Sequence, residues 1–137
     1  MKITKLALYL GLVFGQLGFF NNSLALELLP SSPIGIQATS IDGKALIPAK
    51  PNEVSLKNLE EAKNAYKKNP LNPDTLIWLE RRLAYTGNYL DAIDVFTEGI
   101  IQFPSDPRFL RHRGHRYISI REFDLAIADL EKASILM

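Results

Sequence analysis

A 34-residue echo constrains this chain more than any other feature of its sequence. Pro70 and Pro104, Pro73 and Pro107, Leu76 and Leu110, Arg82 and Arg116, Ala92 and Ala126, and Ile93 and Ile127 are each separated by that interval. Tyr89 and Phe123 match in kind, and Ala65, Gly99 and Ala133 form a series of small residues at the same period. A period of this length marks a structural unit that cannot bury its apolar face alone and must stack on a neighbour.

The local signals within each period are helical. Asn72-Pro73-Asp74 offers an N-cap, a proline at the first helical position and an acid near the positive helix end, and Asp106-Pro107 repeats the device. Leu76, Leu79 and Leu83 then recur at spacings of three and four, the signature of one buried helix face. Gly87-Asn88 can reverse the chain through positive φ. Ala92, Ile93, Phe96 and Ile100 line the return helix, with Ala92 small where two helices approach closely and Phe96 filling the space that results. The spacing predicts helices over about 54–69, 74–86, 90–103, 108–119 and 122–136.

The pattern resembles the tetratricopeptide repeat. One unit reads Leu76-x2-Leu79-Glu80-x2-Leu83, then Ala92-x3-Phe96 and Pro104; the next reads Leu110-x2-Arg113-Gly114-x2-Tyr117, then Ala126-x3-Leu130. The resemblance implies an all-α solenoid of antiparallel helix hairpins over residues 53–137. It divides into a half unit (53–72), a repeat (73–106) and a repeat (107–137) that is truncated or uncapped at its end. Three residues depart from the family pattern. Glu80 replaces a small residue, Arg113 replaces a leucine, and Arg121 stands where the previous unit has Gly87. A charge in a packed position must pair or snorkel, and Arg113 is the leading candidate partner for Glu80.

The N-terminal third has a different character. Lys2 and Lys5 precede an apolar run from Leu6 to Phe20, and Ser23-Leu24-Ala25 supplies a small-x-small site. That run is shorter than the ~20 residues a bilayer span takes, so residues 1–25 read as a cleaved signal peptide. The chain is then exported, to the periplasm or the medium, with no membrane insertion after cleavage. Residues 26–52 carry Pro30, Pro33, Pro48 and Pro51. They read as an irregular Pro-rich linker that lies along the domain or stays mobile, with a small turn available around Ile41–Ala45.

Little in the sequence points to chemistry. There is no cysteine, which excludes thiol catalysis, thiolate metal sites and disulfides. No phosphate-cradling glycine loop or nucleophile elbow is present. His112 and His115 lie three apart, a spacing that can place both on one face for a metal, but Arg111, Arg113 and Arg116 around them repel a cation. The expectation is a non-enzyme without cofactor or metal. The formal charge of +1, from 16 basic and 15 acidic residues, gives no global pull toward nucleic acid.

One feature rises above background. Arg108, Arg111, His112, Arg113, His115 and Arg116 crowd together with no acid between Asp106 and Glu122. In the tetratricopeptide family the first helix of each hairpin lines a concave, peptide-binding groove. A helix wheel that turns the leucines inward puts Ile77, Arg81 and Tyr85 on another face of one such helix, and Arg108, Arg111, His115 and Ser119 on the comparable face of the next. The implied peptide-binding set is Arg81, Tyr85, Arg108, Arg111 and His115, suited to an acidic or C-terminal segment. The expected function is an exported helical-repeat scaffold for a protein or peptide partner. The alternatives are an assembly subunit that stacks through open solenoid ends, and an accessory repeat region of a longer enzyme. Ala126, Ile127, Leu130, Ala133, Ile135, Leu136 and Met137 on the last helix are expected to be covered by further repeats or a partner.

Overall fold

The computed structural model describes residues 35–137, and the signal-peptide and early linker readings therefore lie outside the described residues. The protein is mostly helical. A two-stranded antiparallel hairpin, β1 (Ala38–Thr39) and β2 (Ala45–Leu46), is followed by five helices: α1 (Glu53–Lys68), α2 (Pro73–Tyr85), α3 (Tyr89–Gln102), α4 (Pro107–Ser119) and α5 (Phe123–Ile135). Each helix packs on its neighbour in sequence, and α2 also touches α4. Among the described residues no helix is long and apolar enough to cross a membrane.

Every helix starts and stops within a residue or two of its expected position, and the reasons are local. Asn52 Oδ1 accepts from the Ser55 amide, Asn72 Oδ1 from Asp74, and Asp106 Oδ1 from Arg108, so side chains satisfy orphan donors at the first turns of α1, α2 and α4. Pro73 and Pro107 occupy the first helical positions. The turns after α2 and α4 place Gly87 and Arg121 at φ +89° and +70°, so the arginine at the second turn adopts the left-handed conformation that glycine takes at the first.

Helix α3 departs from this scheme. Asn88 precedes it but makes no side-chain cap bond. Instead Gln37 Oε1, at the edge of the hairpin, accepts from the Leu90 amide at 3.0 Å. The segment read as an irregular linker with a turn available at Ile41–Ala45 folds, from Gly35 onward, into a small hairpin that reverses within that turn at Gly43 (φ +79°) and is tied to the domain through Gln37. Leu46, Ile47 and Pro48 form a shallow hollow with Tyr89 and Ser119.

The core runs along the helix interfaces. Leu76, Leu79 and Leu83 of α2, Ala92 and Val95 of α3 and Phe109 of α4 are fully buried, joined by Tyr66 of α1 and Phe96 of α3. Ile77, which the wheel placed beside Arg81 on the open face, is buried too, because α2 has neighbours on more than one side. The small residue at Gly99 has a specific reason: a Cβ there would run into the Phe109 ring and sit 3.1 Å from Glu80 Oε1. Gly99→Ala is expected to cost about 1–3 kcal/mol through overpacking, measured by denaturant unfolding; a loss under about 0.5 kcal/mol would show that α3 and α4 separate easily.

Two of the three charged departures resolve differently from expectation. Arg113 does not reach Glu80. Its Nε and Nη2 donate to the two Asp129 carboxylate oxygens, each at 2.7 Å, and its Nη1 donates to Thr97 Oγ1 at 3.0 Å. The fork ties α3, α4 and α5 together, and the bidentate geometry explains why Asp129 wins. Glu80 is fully buried, and among the described residues neither carboxylate oxygen finds a hydrogen-bond partner. Burial pushes its carboxyl well above the usual range. The nearby Tyr66 hydroxyl also lacks a hydrogen-bond partner among the described residues, and burial, with Glu80 adding to it, raises the Tyr66 phenol.

Candidate functional site

A cleft of about 390 Å³ opens between α2 and α4, floored in part by α3. Helix α2 contributes Arg81, Ala84 and Tyr85, α3 contributes Phe96, and α4 contributes Arg111, His112, His115 and Arg116. The placement follows from the helix period. Arg81 and Tyr85 are one turn apart on α2, and Arg111 and His115 are one turn apart on α4. Ala84, nearly fully buried, is short enough to leave space between the two arginine-bearing helices.

Four of the five residues expected to form a binding face thus converge: Arg81, Tyr85, Arg111 and His115. Arg108 does not join them. Its Nη2 and Nε hold Asp106, at 2.6 and 2.9 Å, and its Nη1 holds Asp74 at 2.6 Å. Asp74 and Asp106 stand at the starts of α2 and α4, so Arg108 clasps two equivalent helix ends one period apart. These contacts raise the Arg108 pKa and hold the Asp106 carboxyl below the usual carboxylate range. The wheel placed Arg108 by angle alone, whereas the acids that cap the helices decide where its guanidinium goes.

His112, Arg116 and Phe96 complete the lining and were not part of the expected set. His112 stacks on Phe96 with ring centroids 5.8 Å apart and an interplanar angle of 29°. Burial, with the positive fields of Arg111, Arg81, His115 and Arg116, pushes its imidazole down to about 4. Arg116 lies 5.7 Å over the Tyr89 ring, and burial lowers its pKa. The signal that could have found His112 is the aromatic core residue Phe96 on the return helix, which needs a flat neighbour from α4.

The cleft is cationic throughout. None of its lining residues is acidic, and among the described residues Arg81, Arg111 and Arg116 make no ion pair. Arg81 is steadied by aromatic groups instead: its guanidinium lies 4.5 Å from the Trp78 ring centroid and donates to the Tyr85 hydroxyl at 3.0 Å. Trp78 and Tyr85 remain about half exposed beside it. Such a surface offers forked donors to a carboxylate or other oxyanion and apolar contact to what carries it. Among the described residues no group of three or more acidic, histidine or cysteine side chains could hold a metal. Compared with known proteins, the chain matches no family model and no curated sequence.

Proposed function

We propose that this protein is an exported helical-repeat scaffold of tetratricopeptide type that binds a protein or peptide partner, and that it grips an acidic segment of that partner in the cleft between α2 and α4. The observation that carries the reading is the gathering of Arg81, Arg111 and Arg116, with two histidines, around one cleft that contains no acid. Like charges do not cluster in a partly buried site without cost, and a bound anion removes that cost. The 34-residue period and the order of packing support the repeat reading.

The test is a double substitution, Arg81→Ala with Arg111→Ala, used as bait beside the wild type in a pull-down from the exported fraction of the native host. A partner lost from the variant, with the melting temperature within a few degrees of wild type, is the expected result. Arg108→Ala serves as the contrast: it should leave capture intact and cost about 1 kcal/mol or less, the usual worth of a half-exposed ion pair. Capture that survives the double substitution would return the cleft to the role of a solvated charged surface.

A second reading, assembly through α5, is favoured by one observation. In α3, Ile93 and Phe96 are buried against their neighbours. At the equivalent positions of α5, Ile127 is about half exposed and Leu130 is only partly buried, and Phe123 and Met137 are also exposed. A partner or further repeats covering that face would complete it. A sedimentation mass that rises with concentration supports self-assembly; a constant monomer mass counts against it.

A further inference from the structure

We propose that the cleft takes up its anion together with a proton, and that His112 is the residue that accepts the proton. The inference rests on the anion-binding reading of the cleft and adds the regulation of that site. The argument is geometric. His112 sits on the wall of the cleft, half-buried, with its ring against Phe96 of α3. Arg81 and Tyr85 face it from α2, Arg111, His115 and Arg116 flank it on α4, and α3 lends the cleft no charged residue. Among the described residues the acid whose field couples to it is Asp106, and that carboxylate is already held by Arg108.

A proton on His112 in the empty cleft would add one more positive charge to a site that already holds three arginines. Burial disfavours the imidazolium first, and this repulsion adds to it; together they push the imidazole down to about 4. An oxyanion bridging Arg81 and Arg111 reverses the balance. It cancels the repulsive part of what keeps the proton away, and against the part due to burial it offers a negative charge and an acceptor for the new N–H. The Phe96 ring tolerates the charged imidazolium, because an aromatic face attracts a cation. Linkage then requires the reciprocal effect: as pH falls from the ordinary histidine range toward the free-cleft value, the anion binds more tightly, by up to about tenfold per pH unit for one coupled proton.

Sulfate is a suitable probe, because its own charge is constant across this range. The full chain, 15N-labelled, is titrated with acid in sodium sulfate and in sodium chloride of equal ionic strength, and the assigned His112 ring nitrogens are followed by NMR. The Arg81 and Arg111 side-chain N–H signals report binding itself. The expected result is a His112 midpoint at least one unit higher in sulfate than in chloride. Sulfate affinity should rise toward acid pH, and that pH dependence should shrink in His112→Gln while His115 is left in place. If the arginine signals report sulfate binding but the His112 midpoint does not move, the proton-coupling proposal fails and the anion cleft stands. If sulfate perturbs neither the arginines nor His112 at any pH, both fail.

Discussion

Asp129→Ala is expected to lower the melting temperature by about 12 °C or more. Asp129 is nearly fully buried and is the carboxylate that neutralises Arg113, whose side chain is only 18% exposed. Removing it leaves a guanidinium shut between α3, α4 and α5 with the Thr97 hydroxyl and the Tyr117 ring, 5.6 Å away, and no counter-charge among the described residues. Breaking one side of a buried pair costs about 3–5 kcal/mol, and each kcal/mol is worth about 4–8 °C in a domain of this size. The same physics predicts rescue: Arg113→Leu in the Asp129→Ala background removes the stranded charge and should restore much of the loss. Differential scanning calorimetry of the single and double variants decides the matter. A single variant within about 1 kcal/mol of wild type would mean that Arg113 swings out to solvent.

Glu80→Gln is expected to act in the opposite direction, and its effect should depend on pH. Burial raises the Glu80 carboxyl in the folded protein above its ordinary value of 4.5, so the folded state keeps a proton that the unfolded chain releases. Between those two values the folded state binds more protons than the unfolded one, and stability therefore falls as pH rises, by about 1.4 kcal/mol per pH unit. Below the unfolded value both states are protonated and the penalty vanishes. Glutamine holds no such proton. The variant should match wild type near the acid end of the window and gain on it steadily toward neutral pH. Chemical denaturation at a series of pH values reads this directly, and parallel stability curves for the two proteins would overturn the assignment of a neutral, buried Glu80.

The sequence was most informative where the determinants are local. Caps, first-position prolines and leucine spacing act within one or two turns, which is why Asn72-Pro73-Asp74 and Asp106-Pro107 locate α2 and α4 to the residue or nearly so. The small residue at Gly99 was legible as one of a series at the repeat period, although its partner Phe109 was not. Pairings between charges were harder. Arg113 had a candidate on α2 and several acids to come; that Asp129 meets it depends on the angle between α4 and α5, which no single-helix pattern encodes. Arg108 was assigned by its angle around α4, but two acids at helix starts capture it. Arg81, Tyr85, Arg111 and His115 were found because one-turn spacing fixes which residues share a face. His112 escaped because its place is defined by a ring on another helix.

The bond from Gln37 to the Leu90 amide carries a consequence for how the molecule opens. A helix that brings its own capping side chain can fray and reform as an isolated event. Here the acceptor for the first turn of α3 belongs to a hairpin 53 residues earlier in the chain, so that turn is only as settled as the contact of a distant segment. Tyr89, at the same end of α3, borders the hollow beneath the hairpin and lies under Arg116, which lines the cleft. Loosening of the hairpin would therefore reach the frame of the cleft through this end of α3. The hairpin is in that sense coupled to the wall of the cationic cleft, through Gln37 at the first turn of α3 and through Tyr89 beneath Arg116.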